Sequence, residues 1–229
     1  QKISIASAQL FGLKANLYQQ TPQSKHNFQF VLDSLASKDT TKHTPLDLHI
    51  GSLIIRHGAV KYDKRYIVSK SGVFSPAHIS ISDLSTHIIA NHITDDAINL
   101  HIKKLAFRDK SGLQLNSLSF KLDANKREAS LKEFELQLPH SDITLGDIHA
   151  TYKFDNGKLV MPTLQYSGSI EQSKITLSDI ACLLPIFRHF EDAVFFETQF
   201  TGTSTSLRCQ KINFKTGSGS INLQAKGRI

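Results

Sequence analysis

The chain has 229 residues, 40% of them apolar, with 27 Lys and Arg against 20 Asp and Glu, a formal charge of +7 before its 11 His are counted. That length suits one large domain or two small ones, and the composition excludes wholesale disorder. No apolar run approaches the ~18 residues of a membrane-spanning helix, and two cysteines, Cys182 and Cys209, exclude a disulfide scaffold and offer no metal-ligand spacing.

Residues 2–18 alternate apolar and polar, with Ile3 and Ile5, then Leu13, Ala15 and Leu17, and read as one or two strands. Thr21-Pro22 reads as a helix start, Thr as N-cap and Pro in the first position. Phe28, Val31, Leu32 and Leu35 follow at i, i+3, i+4 and i+7, an amphipathic helix ending near Ser37. Residues 38–45 are polar and read as a loop. From 46 to about 177 the period is two almost everywhere. Strands are expected at 46–55, 59–63, 78–84, 98–108, 112–122, 130–138, 142–154, 158–168 and 174–177. Turn signals divide them, among them Arg56-His57-Gly58 and Asp95-Asp96. Asp155-Asn156-Gly157 between two alternating runs predicts a hairpin. Ser178-Asp179 starts a second helix, with Ile180, Leu183, Leu184 and Phe187 at helical spacing and Pro185 kinking it or confining it to short pieces. Strands at 193–202, 207–215 and 220–226 complete the pattern. The opening on Gln1 instead of Met, and the ending in strand rhythm, lead us to expect more chain on both sides.

Within the strand region one octet recurs, apolar-x-apolar-x-x-apolar-x-apolar. It reads LHIGSLII at 48–55, LHIKKLAF at 100–107 and LQLNSLSF at 113–120. Looser copies are ISISDLST at 79–86, ITLGDIHA at 143–150 and ITLSDIAC at 175–182. Strand side chains alternate, so the two apolar pairs of one octet would face opposite sides of a flat strand. A bulge or corner at the two central residues brings them back to one side. Repetition of such a unit makes a one-sided apolar surface, a repetitive β architecture in place of a pocket enzyme.

Catalytic constellations are missing from the sequence. It has no Gly-x-Ser-x-Gly elbow, no phosphate-cradling glycine loop, no His-Glu-x-x-His and no Cys-x-x-Cys. His87 and His92, five apart, would fall on opposite faces of a strand. His49, His101 and His149 occupy polar slots of the octet and read as solvated surface residues. The two cysteines are either bridged or free thiols. The positive charge is either an ordinary soluble surface or an attraction to anionic headgroups; short Lys-Arg clusters without interleaved aromatics disfavour nucleic acid. The expectation is a non-enzyme without metal or cofactor.

Residues 46–63 (LDLHIGSLIIRHGAVKYD), 74–84 (FSPAHISISDL), 113–138 (LQLNSLSFKLDANKREASLKEFELQL) and 175–190 (ITLSDIACLLPIFRHF) resemble the AsmA-like/TamB family of bacterial envelope proteins, in its Bacteroidetes version. The order of segments carries the resemblance more than any one of them. It implies an N-terminal inner-membrane anchor, absent here, and an elongated periplasmic body whose antiparallel sheet forms a half-pipe or taco with an apolar inner face. It further implies phospholipid movement between the inner and outer membranes and a link to outer-membrane protein assembly. This chain would then be an internal periplasmic fragment, one elongated β-rich domain over 1–229 with two short amphipathic helices.

Two functional expectations follow. In the first, the apolar face conducts or binds the acyl chains of phospholipid or another acyl lipid, with Leu48, Ile50, Leu100, Ile102, Leu113, Leu115, Leu118, Phe120, Phe134, Leu136, Ile143 and Leu145 forming the lipid groove. The ordinary alternative makes these residues core, beneath the helices or a second sheet. In the second, exposed sheet edges receive client strands by β-augmentation, a scaffold for outer-membrane protein assembly.

Overall fold

The structure is a computed structural model that describes residues 2–30, 47–155, 157–190 and 192–228. Strands β1 (Lys2–Ile5), β2 (Ala8–Phe11) and β3 (Lys14–Gln19) precede β4 (Asp47–Lys64), β5 (His78–Thr94), β6 (Ala97–Asp109), β7 (Gln114–Asn125) and β8 (Glu128–Gln137). Then come β9 (Asp142–Leu145), β10 (Ile148–Thr151) and a hairpin of β11 (Phe154–Asp155) and β12 (Lys158–Leu159). After β13 (Gln165–Thr176), two 3₁₀ segments, Leu177–Ile180 and Pro185–His189, lead to β14 (Ala193–Thr203), β15 (Ser206–Thr216) and β16 (Asn222–Arg228).

All but β11 and β12 belong to one 14-stranded sheet. From β4 to β8 it is an antiparallel meander; β9 and β10 share the next position end to end, and β13 to β16 follow. The Asp-Asn-Gly hairpin forms, with Gly157 at φ 75°. It stands outside the main sheet.

Three expectations about the strands are corrected. The sheet is mixed: β1, β2 and β3 lie end to end along β4 and run parallel to it. The chain between Gln19 and Asp47 is too long for a hairpin, and it returns to the end where β1 begins, which only a parallel neighbour requires. Arg56-His57-Gly58 is no turn, because β4 runs unbroken through it for 18 residues. The stretch expected as one strand over 142–154 is divided, with breaks at Gly146-Asp147 and after Thr151.

The two helices are corrected as well. Thr21-Pro22 opens a turn in which the Thr21 hydroxyl accepts from the Ser24 amide at 3.1 Å. Gln29 and Phe30 are helical, and the remainder of that expected helix lies outside the described residues, as does the loop at 38–45. The second helix is two short 3₁₀ pieces, the later one starting at Pro185. Asp179, expected near its N-cap, turns its carboxylate to His140 and Ser141 and caps nothing in its own segment. Among the described residues no helix is long and apolar enough to cross a membrane.

Little of this chain is deeply buried. Among the described residues the buried apolar side chains are Ala90, Ile102, Leu115, Ala181 and Cys182. The chain exposes 14813 Å², against roughly 10,400 Å² for a compact protein of its mass. In a closed sandwich the inward Leu and Ile of both sheets are fully covered. Here they are mostly half-buried, touching in-sheet neighbours while part of each stays open.

Candidate functional site

The octets fold as their phase slip predicts. Between Ile50 and Leu53 three residue steps on β4 oppose two on β5, from Ala90 to Ile88, so Gly51-Ser52 is a bulge. Lys103-Lys104 is the same between Ile102 and Leu105, and Asn116-Ser117 between Leu115 and Leu118. Ser82-Asp83 does so in the looser copy on β5. The copy at 175–182 is instead a corner, where β13 passes into the first 3₁₀ segment. His57, Asp83 and Glu133 all sit at such slips and are the described non-glycine residues with positive φ, 52°, 53° and 53°. A left-handed residue is how a bulge re-aims the side chains after it.

Residues paired across neighbouring strands share a face, so the register lists the face's members. One row runs Ala8, Leu53, Ile88, Ile102, Phe120. It passes to Phe134, whose ring stacks on Phe120 at 6.4 Å between centroids, and continues through Leu145, Ile170, Thr198, Ile212 and Ala225. A second runs Ile5, Ile50, Ala90, Leu100, Leu122, Leu131, Ile148. It crosses β13 at Gly168, where a β-carbon would lie 2.8 Å from the Ile148 side chain and 3.1 Å from the Phe200 ring, and ends on Phe200 and Cys209. A third holds Leu10, Ile55, Thr86, Leu105, Leu118, Leu136 and Ile143. The first row crosses ten inter-strand spacings, about 48 Å along the sheet at ~4.8 Å each.

Every candidate groove residue within a strand lies on this face; Leu113 immediately precedes β7. Ile102 and Leu115 are buried, each 8% exposed. Leu48, Ile50, Leu100, Leu118, Phe120, Phe134, Leu136, Ile143 and Leu145 are half-buried, as is Leu113, two residues ahead of Leu115. Sequence reasoning missed the members on β5 and on β13 to β15, Ile88, Ile170, Phe200, Ile212 and Phe214 among them. A signal existed: ASLKEFEL at 129–136, GSIEQSKI at 168–175 and LRCQKINF at 207–214 are further octets, each with a small or polar residue in an apolar slot and a bulge at its centre. Two polar members of the face are tied to neighbouring strands, while the Thr198 hydroxyl is buried without a partner. Thr86 donates to the Lys104 carbonyl at 3.0 Å, and Ser173, 0% exposed, ties β13 to Thr144 of β9.

The opposite face is polar, interrupted by Ile54, Ile89 and Phe195. On it Lys121 pairs with Glu133 at 2.6 Å and Lys211 with Glu197 at 2.7 Å. Those hydrogen bonds hold both carboxyls below the ordinary range, with Asn213 adding to the effect on Glu197. Burial, then the nearby Lys121 and Lys103, push the His101 imidazole below its usual value. His49 and His101 are half-buried here, and His149 is exposed. His87 and His92 share this face, contrary to expectation, because a register shift between Ala90 and His92 changes the alternation.

One end of the sheet carries the β4–β5 loop, the β6–β7 and β8–β9 turns and the 3₁₀ segments. The Asp179 carboxylate, 2% exposed, accepts from the His140 amide (2.9 Å), the Ser141 hydroxyl (2.7 Å) and the His140 ring Nδ1 (2.8 Å). The Phe74 amide donates to the Cys182 carbonyl at 2.9 Å. Both cysteines are free thiols. Cys182 is buried, which pushes its thiol above the ordinary value, whereas Cys209 is half-buried. Iodoacetamide at mildly alkaline pH should therefore label Cys209 first and Cys182 slower by about an order of magnitude, gated by local opening. Equal rates, read by mass spectrometry of the labelled peptides, would mean that residues 177–190 do not pack as described.

No group of three or more His, Cys, Asp or Glu side chains among the described residues is placed to hold a metal ion. What the arrangement offers chemically is contact: a broad apolar wall with a polar back. Comparison with protein-family models, with curated proteins and with solved structures finds no match.

Proposed function

We propose that this chain is a non-enzymatic envelope-biogenesis module whose apolar sheet face binds or conducts the acyl chains of phospholipid in the periplasm. The observation that carries the reading is the apolar face, continuous across the sheet from β2 to β16, over which no second layer of the described residues lies. An acyl chain needs only a water-shielded apolar wall, worth ~0.8 kcal/mol per buried methylene. A leaflet's hydrocarbon is ~15 Å deep, half of the ~30 Å bilayer core, so one row is longer than a single chain requires. Bulges bend strands and raise their twist, and their recurrence favours a face curved around its ligand, the half-pipe of the AsmA-like/TamB resemblance. Membership of that family, and attachment to the inner membrane through an anchor outside this chain, belong to the same proposal.

The test is extraction of the purified chain and mass spectrometry for phospholipid. Lipid at a defined stoichiometry supports the reading. A lipid-free chain that also fails to quench a fluorescent fatty acid sinks it. A scaffold role has one observation of its own: every residue of β16, Asn222–Arg228, is exposed, and that strand has a neighbour on one side only. A free edge of this kind accepts a client strand through main-chain hydrogen bonds.

A further inference from the structure

The end of the sheet that carries the 3₁₀ segments also gathers apolar side chains that nothing described here covers. Val68 is 91% exposed, Ile186 75%, Phe190 52%, Leu184 50% and Ile67 41%. They come from two segments that touch. The Phe74–Cys182 hydrogen bond joins them, and a β-carbon on Gly72 would lie 3.8 Å from Nη2 of Arg188. Single exposed apolar residues are ordinary, but a group on two joined segments marks a surface that meets something.

Beside Ile67 and Val68 opens a cavity of about 310 Å³, lined by Lys61, Lys70 and Lys110 together with Ser71, Gly72 and His78. Among the described residues none of the three lysines is ion-paired, although Asp63 also lines the cavity. Asp63 is taken by Nδ1 of His78 at 2.6 Å, and Asp109 accepts from the amides of Ser80 and Ser111, both at 2.8 Å. Asp179 is held by His140 and Ser141. Three ammonium groups around one opening are what a phosphate oxygen would meet.

We propose that this end of the sheet docks on an anionic phospholipid surface. Ile67, Val68, Ile186 and Phe190 enter the interfacial layer, while Lys61, Lys70 and Lys110 take headgroup phosphates. The apolar residues alone would suit any apolar partner. The unpaired lysines beside them select a negatively charged bilayer, whose surface potential draws basic residues toward it. Docking is separate from acyl binding on the sheet face, and each can fail without the other.

The test is flotation of the whole chain with vesicles of mixed phosphatidylglycerol and phosphatidylcholine, and with vesicles of phosphatidylcholine alone. Binding is expected to the first and not the second, weakening toward ~0.5 M salt as screening shortens the reach of the charges. One lysine at an anionic surface is worth about fivefold in affinity, so Lys70→Glu with Lys110→Glu should lose at least ~25-fold. Val68→Ser with Ile186→Ser should lose about tenfold. Arg208→Glu with Arg228→Glu makes the same charge change at the opposite end, with both residues exposed and unpaired, and should bind as the parent does. Equal losses in the two charge reversals would assign binding to net charge and overturn the site. So would displacement by millimolar inorganic phosphate, which would make the cavity a free-anion site, or full binding by the Lys70 and Lys110 variant. Circular dichroism of each variant separates lost docking from lost fold.

Discussion

Replacing Leu100 and Leu136 together with aspartate is expected to lower the phospholipid that co-purifies with the chain by about a hundredfold while the sheet stays folded. The two residues lie in different rows of the face, Leu100 between Ala90 and Leu122 and Leu136 between Leu118 and Ile143. Both are half-buried, so each aspartate can reach water without being forced into a core. Against an acyl chain the two carboxylates would remove contact with three or four methylenes. At ~0.8 kcal/mol each that is about 3 kcal/mol, or roughly two powers of ten in affinity. Ile102→Asp provides the contrast, since Ile102 is only 8% exposed and a buried carboxylate there should unfold the sheet. Ser119→Asp, on the polar face opposite Glu135, should leave the lipid unchanged and cost at most ~1 kcal/mol of stability through repulsion between the two carboxylates. If the Leu100 and Leu136 variant keeps its lipid, the apolar face is not the binding surface. If it unfolds as Ile102→Asp does, the face is packing and the lipid reading loses its support.

The second large effect is expected on stability. Asp179→Ala should lower the free energy of unfolding in urea by about 3 kcal/mol, because the carboxylate holds three donors at one place. The His140 ring is well exposed and can return to water, so its loss matters little. The Ser141 hydroxyl cannot, since Ser141 is 1% exposed and also accepts from the Thr176 amide at 2.9 Å. A hydrogen bond from a buried hydroxyl to a carboxylate is worth ~1.5–3 kcal/mol, and the His140 amide adds about 1 kcal/mol more. This network pins the β8–β9 turn to the exit of β13 and to the first 3₁₀ segment. Its loss should also speed alkylation of Cys182, three residues further on. An unchanged urea midpoint together with a protected Cys182 would show that packing alone holds that end. Asp179→Asn keeps the shape but turns an amide toward one donor, and should fall between the parent and the alanine variant.

Side-chain direction along a strand depends on counting residues, which is why so much of the face was legible in the octets. The alternation, the slip at Lys103-Lys104 and Asn116-Ser117, and the polar slots of His49, His101 and His149 are local properties. They survive folding because nothing long-range has to decide them. The missed octets show the limit of the template. Gly168 occupies an apolar slot because the Ile148 and Phe200 side chains fill the space a larger residue would need, and that demand comes from neighbouring strands. The same limit explains His87 and His92, whose shared face depends on a shift in the pairing of β5 with β6.

By itself, then, the sequence determined a strand-rich chain with one apolar and one polar face and a bulge at the centre of most octets. Only the tertiary structure decided that β1 to β3 run parallel to β4, because the end to which a long connection returns is not encoded in the residues beside it. Only the fold brought Asp179 to His140, 39 residues away, and the β4–β5 loop to the 3₁₀ segments. Whether the apolar face is core or open surface was likewise a tertiary matter. Alternation says which side is apolar; burial depends on what lies over it, and no second layer of the described residues does.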